Sequence, residues 1–389
     1  MNIIILGDNH NNTLSLLRSL GEEGHYIVLL LHKLKHNYAN RSKYVKTCRL
    51  IEEGDDIIQI IKDITKGLND KPALFTCDDY DASFIEDHRK ELCEFCYCEG
   101  GCGDENINCY RNKDVSNKLA AELGFVIPKN VVLEREDEAL IKDLQYPVML
   151  KANNSIHGGK EVQEICDDSQ TLSAALKKLP SDSYPVQVQE YIEKEYEIML
   201  QGCSCNGGKE VICEVANRRI RVYPFIYGAC SYGKGIEIEG DDKLKDLRAK
   251  VVAFLRKIEY SGQFSAEFLF YKDTYYFLEV NLRNDGTAYL STKCGYNLPH
   301  LYCQYLKGDY ETNPHKNRFV PSFYMNSVGD LHYVIKRKIS LLSWIKDFTR
   351  TGCHSHYNAK DKRVYFYYII DIVYNLKKSL RGNSDGKNK

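Results

Sequence analysis

The chain has 389 residues, 43% hydrophobic and 28% charged, the balance of a folded protein of two or three lobes and not of a disordered one. Its formal net charge of −1 provides no global field toward nucleic acid or an anionic membrane. The opening Met1-Asn2-Ile3-Ile4-Ile5-Leu6 lacks both a basic leader and a long apolar run. Neither a signal peptide nor a membrane span is therefore expected, and the cytoplasm is the expected location. Fifteen cysteines in so large a chain do not make a disulfide scaffold, and reduced thiols are expected.

A buried strand over residues 3–6 precedes a turn, a helix over about 13–20 and, after Gly24, a second strand at 26–31. That order points to a parallel, doubly wound layer, with Pro72-Ala73-Leu74-Phe75-Thr76 as a later strand. The first turn, Gly7-Asp8-Asn9-His10-Asn11-Asn12, lacks the glycine spacing of a dinucleotide site. Asp8 and Asp78 are expected as helix caps. A glycine- and cysteine-rich loop covers 91–111, and a helix at 114–123 ends at Gly124. Strands follow at 131–133 and 148–151. From 186 to 277 the pattern is mainly strands, interrupted by an amphipathic helix at about 244–257. The tail from 311 carries Trp344, an aromatic stretch at 364–376 and a polar end.

The strongest local signal is Phe264-Ser265-Ala266-Glu267-Phe268-Leu269-Phe270-Tyr271, then Lys272-Asp273-Thr274, then Tyr275-Tyr276-Phe277-Leu278-Glu279-Val280-Asn281. Two β-rich runs around a polar turn read as a hairpin. With the turn centred on Asp273, Tyr271 faces Tyr275, Glu267 faces Glu279 and Ser265 faces Asn281. Glu267, Glu279 and Asn281 then share one side. Opposed like charges destabilise a sheet unless something positive sits between them, and oxygen ligands of this kind suit Mg²⁺ shared with phosphates. The bland alternative is a solvated strand pair.

In the order of its segments the sequence resembles the ATP-grasp superfamily over roughly residues 113–307. Glu279-Val280-Asn281-Leu282-Arg283 is similar to the family's E-x-N-x-R signature, with Glu267 where a second magnesium ligand stands. Tyr146-Pro147-Val148-Met149-Leu150-Lys151 resembles the strand whose lysine holds ATP phosphates, and Asn112-Lys113-Asp114 the earlier lysine. Gln189-Glu190-Tyr191-Ile192 resembles the hinge beside the adenine. Asn281-Leu282-Arg283 running into Gly286-Thr287-Ala288-Tyr289 and Gly295-Tyr296-Asn297-Leu298 is similar to D-aspartate ligase and related carboxylate–amine ligases, although Leu282 stands where those have proline.

The resemblance implies an ATP-grasp fold, α/β and α+β, preceded by a Rossmann-like α/β domain. Its divisions would be 1–112, an N-terminal lobe at 113–192, a C-terminal lobe with the Mg²⁺/ATP site at 193–310, and a helical extension at 311–389. It implies ATP binding by Lys113 and Lys151 on the phosphates, by a covering loop that includes His157, Gly158 and Gly159, and by Glu190 and Ile192 at the adenine. Glu195 would hold the ribose, with Glu197 in reserve. Arg219 and Arg221 alternate on one strand and would share a face, either gripping a phosphate or carboxylate or forming a solvated basic strand face. Mg²⁺ would sit on Glu267, Glu279 and Asn281, and Arg283 would stabilise the acyl phosphate and oxyanion.

The implied reaction joins a small-molecule carboxylate to an amine, with ADP and phosphate released. Two alternatives share these motifs: a carbamoyl-phosphate-synthase-like or biotin-carboxylase-like enzyme that phosphorylates bicarbonate, and a non-catalytic ATP-binding protein. No nucleic-acid partner is expected, and a homo-oligomer is allowed. Cys93, Cys96, Cys98, Cys102 and Cys109 could supply a thiolate zinc site, with reduced loop thiols as the default; Cys353-His354-Ser355-His356 is too tight for more than suspicion. In the aromatic stretch at 364–376, apolar and basic groups adjoin as on a membrane-surface helix. Packing onto the body or onto a partner subunit is the expectation there.

Overall fold

The computed structural model describes residues 1–34, 36–135, 141, 144–153, 163–180, 183–225, 228–309 and 318–385, the last ten without their side chains. The first layer is set by two runs that are apolar on both faces, β1 (Asn2–Gly7) and β2 (Tyr26–His32), flanking α1 (Asn11–Glu22). A strand of this kind needs cover on both sides, which a parallel sheet between helices gives. β3 (Val45–Ile51), α2 (Ile57–Lys66), β4 (Ala73–Thr76), α3 (Asp79–Asp87), α4 (Arg89–Leu92) and β5 (Tyr97–Cys98) complete a parallel sheet of order β3-β2-β1-β4-β5. Asp78 caps α3, accepting from the Asp81 N–H at 2.8 Å. Asp8 caps nothing: the N-cap of α1 is His10, because the turn after β1 runs two residues further than the expected cap.

After β6 (Gly100–Gly101) and α5 (Lys113–Glu122) comes a small antiparallel sheet. Its strands are β7 (Asn130–Leu133), β8 (Val148–Ala152), β9 (Glu164–Cys166) and β10 (Val186–Glu190), in the order β7-β10-β8-β9. α6 (Ser169–Lys178) covers it, burying Leu172 and Leu176 against Leu133, Val148, Leu150 and Val188.

The largest sheet holds β11 (Tyr196–Cys205), β12 (Glu210–Tyr223) and β13 (Ala229–Glu237), then, after α7 (Asp242–Lys257), β14 (Tyr260–Tyr271) and β15 (Thr274–Asn281). One face is closed by α7, whose Leu244, Leu247, Val251, Phe254 and Leu255 are all buried. α8 (Tyr289–Lys293) and α9 (Leu298–Leu306) lead back to α1. β16 (Phe323–Met325), α10 (Ser327–Ile335), α11 (Leu341–Arg350), β17 (Cys353–His354) and α12 (Lys362–Asp385) end the chain. The tail is thus not only helical: β16 and β17 extend the sheet, giving β15-β14-β11-β12-β13-β16-β17. Among the described residues no helix is long and apolar enough to cross a membrane.

Residues 97–101, expected as loop, form a strap between two sheets. β5 pairs with β4, and β6 pairs with the start of β14. Between them the buried Glu99 carboxylate accepts from the Thr76 N–H at 3.2 Å and the Gln263 N–H at 2.7 Å. Burial pushes Glu99 up to about 8, with the two N–H bonds opposing.

Candidate active site

The hairpin of β14 and β15 turns on Lys272 and Asp273, both left-handed with φ of 44° and 64°, as a two-residue hairpin turn requires. Tyr271 therefore faces Thr274, and Tyr275 faces Phe270, one residue away from the expected pairing. A register shift at Leu278 then adds one residue to β15 and cancels the offset. Glu267 faces Glu279, and Ser265 faces Asn281.

The two glutamates would repel across the pair, so the structure surrounds them with donors. Asn281 Nδ2 donates to Glu267 Oε1 at 3.3 Å and to Glu279 Oε1 at 3.4 Å. Arg219, on β12, donates to Glu267 Oε2 at 2.9 Å. Lys113 Nζ lies 3.5 Å from Glu279 Oε2. Burial still pushes Glu267 up to about 7, with Glu279 adding to the rise and Arg219 opposing it. Burial also works against the Glu279 carboxylate, but Lys113, Lys151 and Arg283 outweigh it and hold the pKa below the usual value.

Both lysines come from elements that converge on this face. Lys113 opens α5 behind the N-cap Asn112, and its backbone N–H donates to Asn153 O at 3.0 Å, tying the helix to the end of β8. Lys151 lies on β8 and donates to Gln189 Oε1 of β10 at 2.8 Å. Burial and the neighbouring Lys113 bring Lys151 down to about 7, with Glu279 opposing. Arg283 donates to Asn281 Oδ1 at 3.2 Å and to Asp79 Oδ2 at 3.1 Å, and Asp79 also accepts from Arg111 at 3.2 Å. Asp79 and Arg111 carry no motif. They arrive from α3 and from the turn before α5, so only the fold reveals them.

Glu190 and Ile192 lie at the exit from β10, where Tyr191 N–H donates to Pro147 O at 2.9 Å and Lys194 N–H to Ile192 O at 2.8 Å. Glu195 does not reach the cluster. It precedes β11, and its carboxylate accepts from the Lys272 N–H at 3.0 Å on the exposed hairpin turn. Glu197, inside β11, is buried against Lys194 and Arg219. Burial opposes its ionisation, yet Arg219 and Lys194 hold it below the usual carboxylate range.

Arg221 also departs from expectation. A register shift in the β12–β13 ladder separates it from Arg219, and its guanidinium grips Asp330 at 2.9 and 2.8 Å and Asp347 at 2.7 Å. All its nitrogens are engaged, so it is not free for a phosphate. His157, Gly158 and Gly159 lie outside the described residues. Of the cysteine cluster, Cys93 and Cys98 hydrogen-bond to each other with Cys96 close by, but among the described residues no group of three or more His, Cys, Asp or Glu could hold a metal. Cys96 is buried while Cys93, Cys102 and Cys109 are exposed. The Cys353–His356 stretch packs instead: three of its backbone carbonyls accept from Arg18, and His356 stacks on Tyr368 at 3.6 Å.

Paired carboxylates with a carboxamide, ringed by lysines and arginines, can hold a cation and a polyphosphate together. Residues 112–304 match the family described as carbamoyl-phosphate synthase L chain, ATP-binding domain. The carbamoyl phosphate synthase large chain of Saccharolobus solfataricus is 22% identical over 203 residues, 51% of this chain and 19% of that protein. Over residues 112–304 the chain carries an ATP-binding domain of the ATP-grasp superfamily. Its fold is shared with N5-carboxyaminoimidazole synthetase of Staphylococcus aureus complexed with ADP, at a TM-score of 0.66 and 15% identity over 87% of this chain and 85% of that one. It is shared too with the biotin carboxylase domain of the Hydrogenobacter thermophilus 2-oxoglutarate carboxylase in complex with MgADP and bicarbonate, at a TM-score of 0.63 and 16% identity over 82% and 73%. The chain spans about a fifth of the length of the carbamoyl phosphate synthase relatives that it matches.

Proposed function

We propose that the chain is an ATP- and Mg²⁺-dependent ligase that joins a carboxylate to an amine through an acyl phosphate, releasing ADP and phosphate. The observation that carries this reading is the opposition of Glu267 and Glu279 with Asn281 between them and Lys113, Lys151 and Arg283 around them. The donor set fits Mg²⁺: both carboxylates and a carboxamide are oxygen ligands, and the Asn281 N–H groups now lie where the carboxylates call for positive charge. When bound, the ion would offset negative charge on the ATP phosphates. Lys113 and Lys151 would bind those phosphates, backbone groups of Glu190 and Ile192 the adenine, and Glu195 or Glu197 the ribose.

The substrate carboxylate oxygen attacks the γ-phosphorus, and the bond to the bridging oxygen breaks as ADP leaves. This turns a poor acylating agent into a good one. An unprotonated amine then attacks the carbonyl carbon, phosphate departs with the electron pair, and the nitrogen gives up one proton to phosphate or water. Arg283 lies two residues past the metal asparagine and would stabilise charge on the acyl phosphate and on the tetrahedral oxyanion.

A second reading, bicarbonate as the phosphorylated acid, is favoured by the family match and by the H. thermophilus relative's complex with bicarbonate. Crossing organic acids with amines in a phosphate-release screen, with bicarbonate as a separate arm, distinguishes the two. Hydroxylamine added with ATP, Mg²⁺ and the correct acid is expected to capture a hydroxamate. Phosphate release that needs bicarbonate alone would favour the second reading. Accumulation of AMP and pyrophosphate would overturn both, because the acid would then be adenylated.

A further inference from the structure

The net charge of −1 conceals a separation. Residues 331–389 contain 13 Lys and Arg against 4 Asp and Glu, a net of +9, which leaves −10 on residues 1–330. The same basic segment carries nine of the large hydrophobic side chains that stand exposed among the described residues.

α12 has two faces. Val364 is buried, and Tyr367 and Tyr368 pack against the core that α1 and β1 share. On the other side Phe366, Ile369, Ile370 and Val373 repeat at i, i+3, i+4 and i+7 and are 38–64% exposed. That spacing makes a continuous apolar stripe, which in a helix is ordinarily covered. The body covers the opposite face, so the stripe is left for something else. On α11, Leu342 and Ile345 are 79% and 45% exposed. A run of ring contacts from Trp344 through Phe348 and Tyr357 to Tyr365 links the two helices by way of the loop between them. Exposed Lys346, Arg350, Lys362 and Arg363 flank the apolar groups.

We propose that α11 and α12 seat the protein on an anionic lipid surface, with the α12 stripe among the headgroups and the basic side chains on the lipid phosphates. Charge selects this occupant. A second copy meeting the same face across a two-fold axis would set like charge against like charge, with Lys346, Lys362 and Arg363 on both sides, and lysine is depleted at protein–protein interfaces. Because no described helix is long and apolar enough to cross a membrane, the helix lies on the surface.

The test is co-sedimentation of the full chain with vesicles of phosphatidylglycerol and phosphatidylcholine in equal parts, beside vesicles of phosphatidylcholine alone. The protein is expected to pellet with the first and stay in solution with the second. The bound fraction should fall at least about tenfold in high salt, where screening reaches within a few ångströms. Phe366→Ser with Ile370→Ser should abolish binding while the melting temperature is kept. Should that variant fail to fold, Lys362→Glu with Arg363→Glu leaves the stripe intact and should also release the protein. Failure to pellet with anionic vesicles overturns the proposal. So does pelleting that neither pair of substitutions reduces, or a dimer, seen by light scattering, that the serine variant dissolves.

Discussion

Two arginine–carboxylate clusters stand two residues apart on β12 and are built in opposite ways. Arg221 gives every nitrogen to Asp330 and Asp347, and Ser231 adds a further bond to Asp330 at 2.9 Å. Arg219 also holds two carboxylates, Glu197 and Glu267, but Glu267 faces Glu279 across the hairpin. Around the second cluster Arg219 Nε, Arg283 Nε and Gln189 Nε2 are buried without an acceptor. Native structures rarely leave buried donors unpaired, and groups with displaced pKa values gather at functional sites. The closed cluster fixes the packing of α10 and α11 on the sheet. The open one is where the proposed function puts its MgATP.

The largest effect that would sharpen this contrast is on chemistry at the open cluster. Glu279→Gln keeps shape and removes a charge. It should reduce ADP formation by more than the about 10²–10³ that one transition-state donor is worth, at an unchanged melting temperature. Near-normal turnover in the folded variant would remove the metal from this site. At the closed cluster Arg221→Ala should instead cost about 3–5 kcal/mol of stability, since two buried carboxylates lose their partner. Urea titration reads that loss, and turnover per folded molecule should stay near wild type; lost turnover with kept stability would reverse the two assignments. Arg283→Ala should lower hydroxamate capture by about 10²–10³. An unchanged yield would pass the oxyanion role to Arg219.

The smallest effect is a pH signature in the ligand-free protein. Glu267 is raised to about 7, above its unfolded value of about 4.3, so the native state holds the extra proton between them and stability falls as pH rises to about 7. Lys151 is lowered to about 7, below its unfolded value of about 10.4. Above about 7 the unfolded state holds the extra proton, and stability rises again. Together they give a minimum near neutrality, with slopes no steeper than about 1.4 kcal/mol per pH unit for each group. Glu267→Gln should remove the acid limb and Lys151→Met the alkaline one, and saturating MgATP should fill the dip. A thermal-melt series that rises steadily through pH 7 would count against it.

Much of this was readable from the residues, though not always for the right reason. The opposed glutamates follow from strand alternation and from the E-x-N spacing, yet the turn lies one residue from where symmetry places it, and the extra residue Leu278 restores the pairing. The strands at 3–6 and 26–31 and the helix near 244–257 announce themselves by burial on both faces or by period. β3 does not, because as an edge strand it is largely exposed and polar. Local pattern offers Arg221 to a ligand, because its true acceptors lie 109 and 126 residues later. Asp79 is equally silent in sequence: its meeting with Arg111 and Arg283 is made by the fold alone.

The strap at residues 97–101 has a bearing on how the molecule can be cut. The stretch matched by the ATP-binding family begins at 112, which looks like a natural place to start an expression clone. Such a fragment would strip β14 of its neighbour β6 and leave the Gln263 N–H without the Glu99 oxygen that receives it. The discarded piece would lose the other half of the same bargain, with Glu99 still taking the Thr76 N–H but facing empty space where Gln263 stood. Homology draws its border through the middle of a physical joint, and the smallest portion able to keep β14 straight behind the glutamates includes the parallel sheet in front of it.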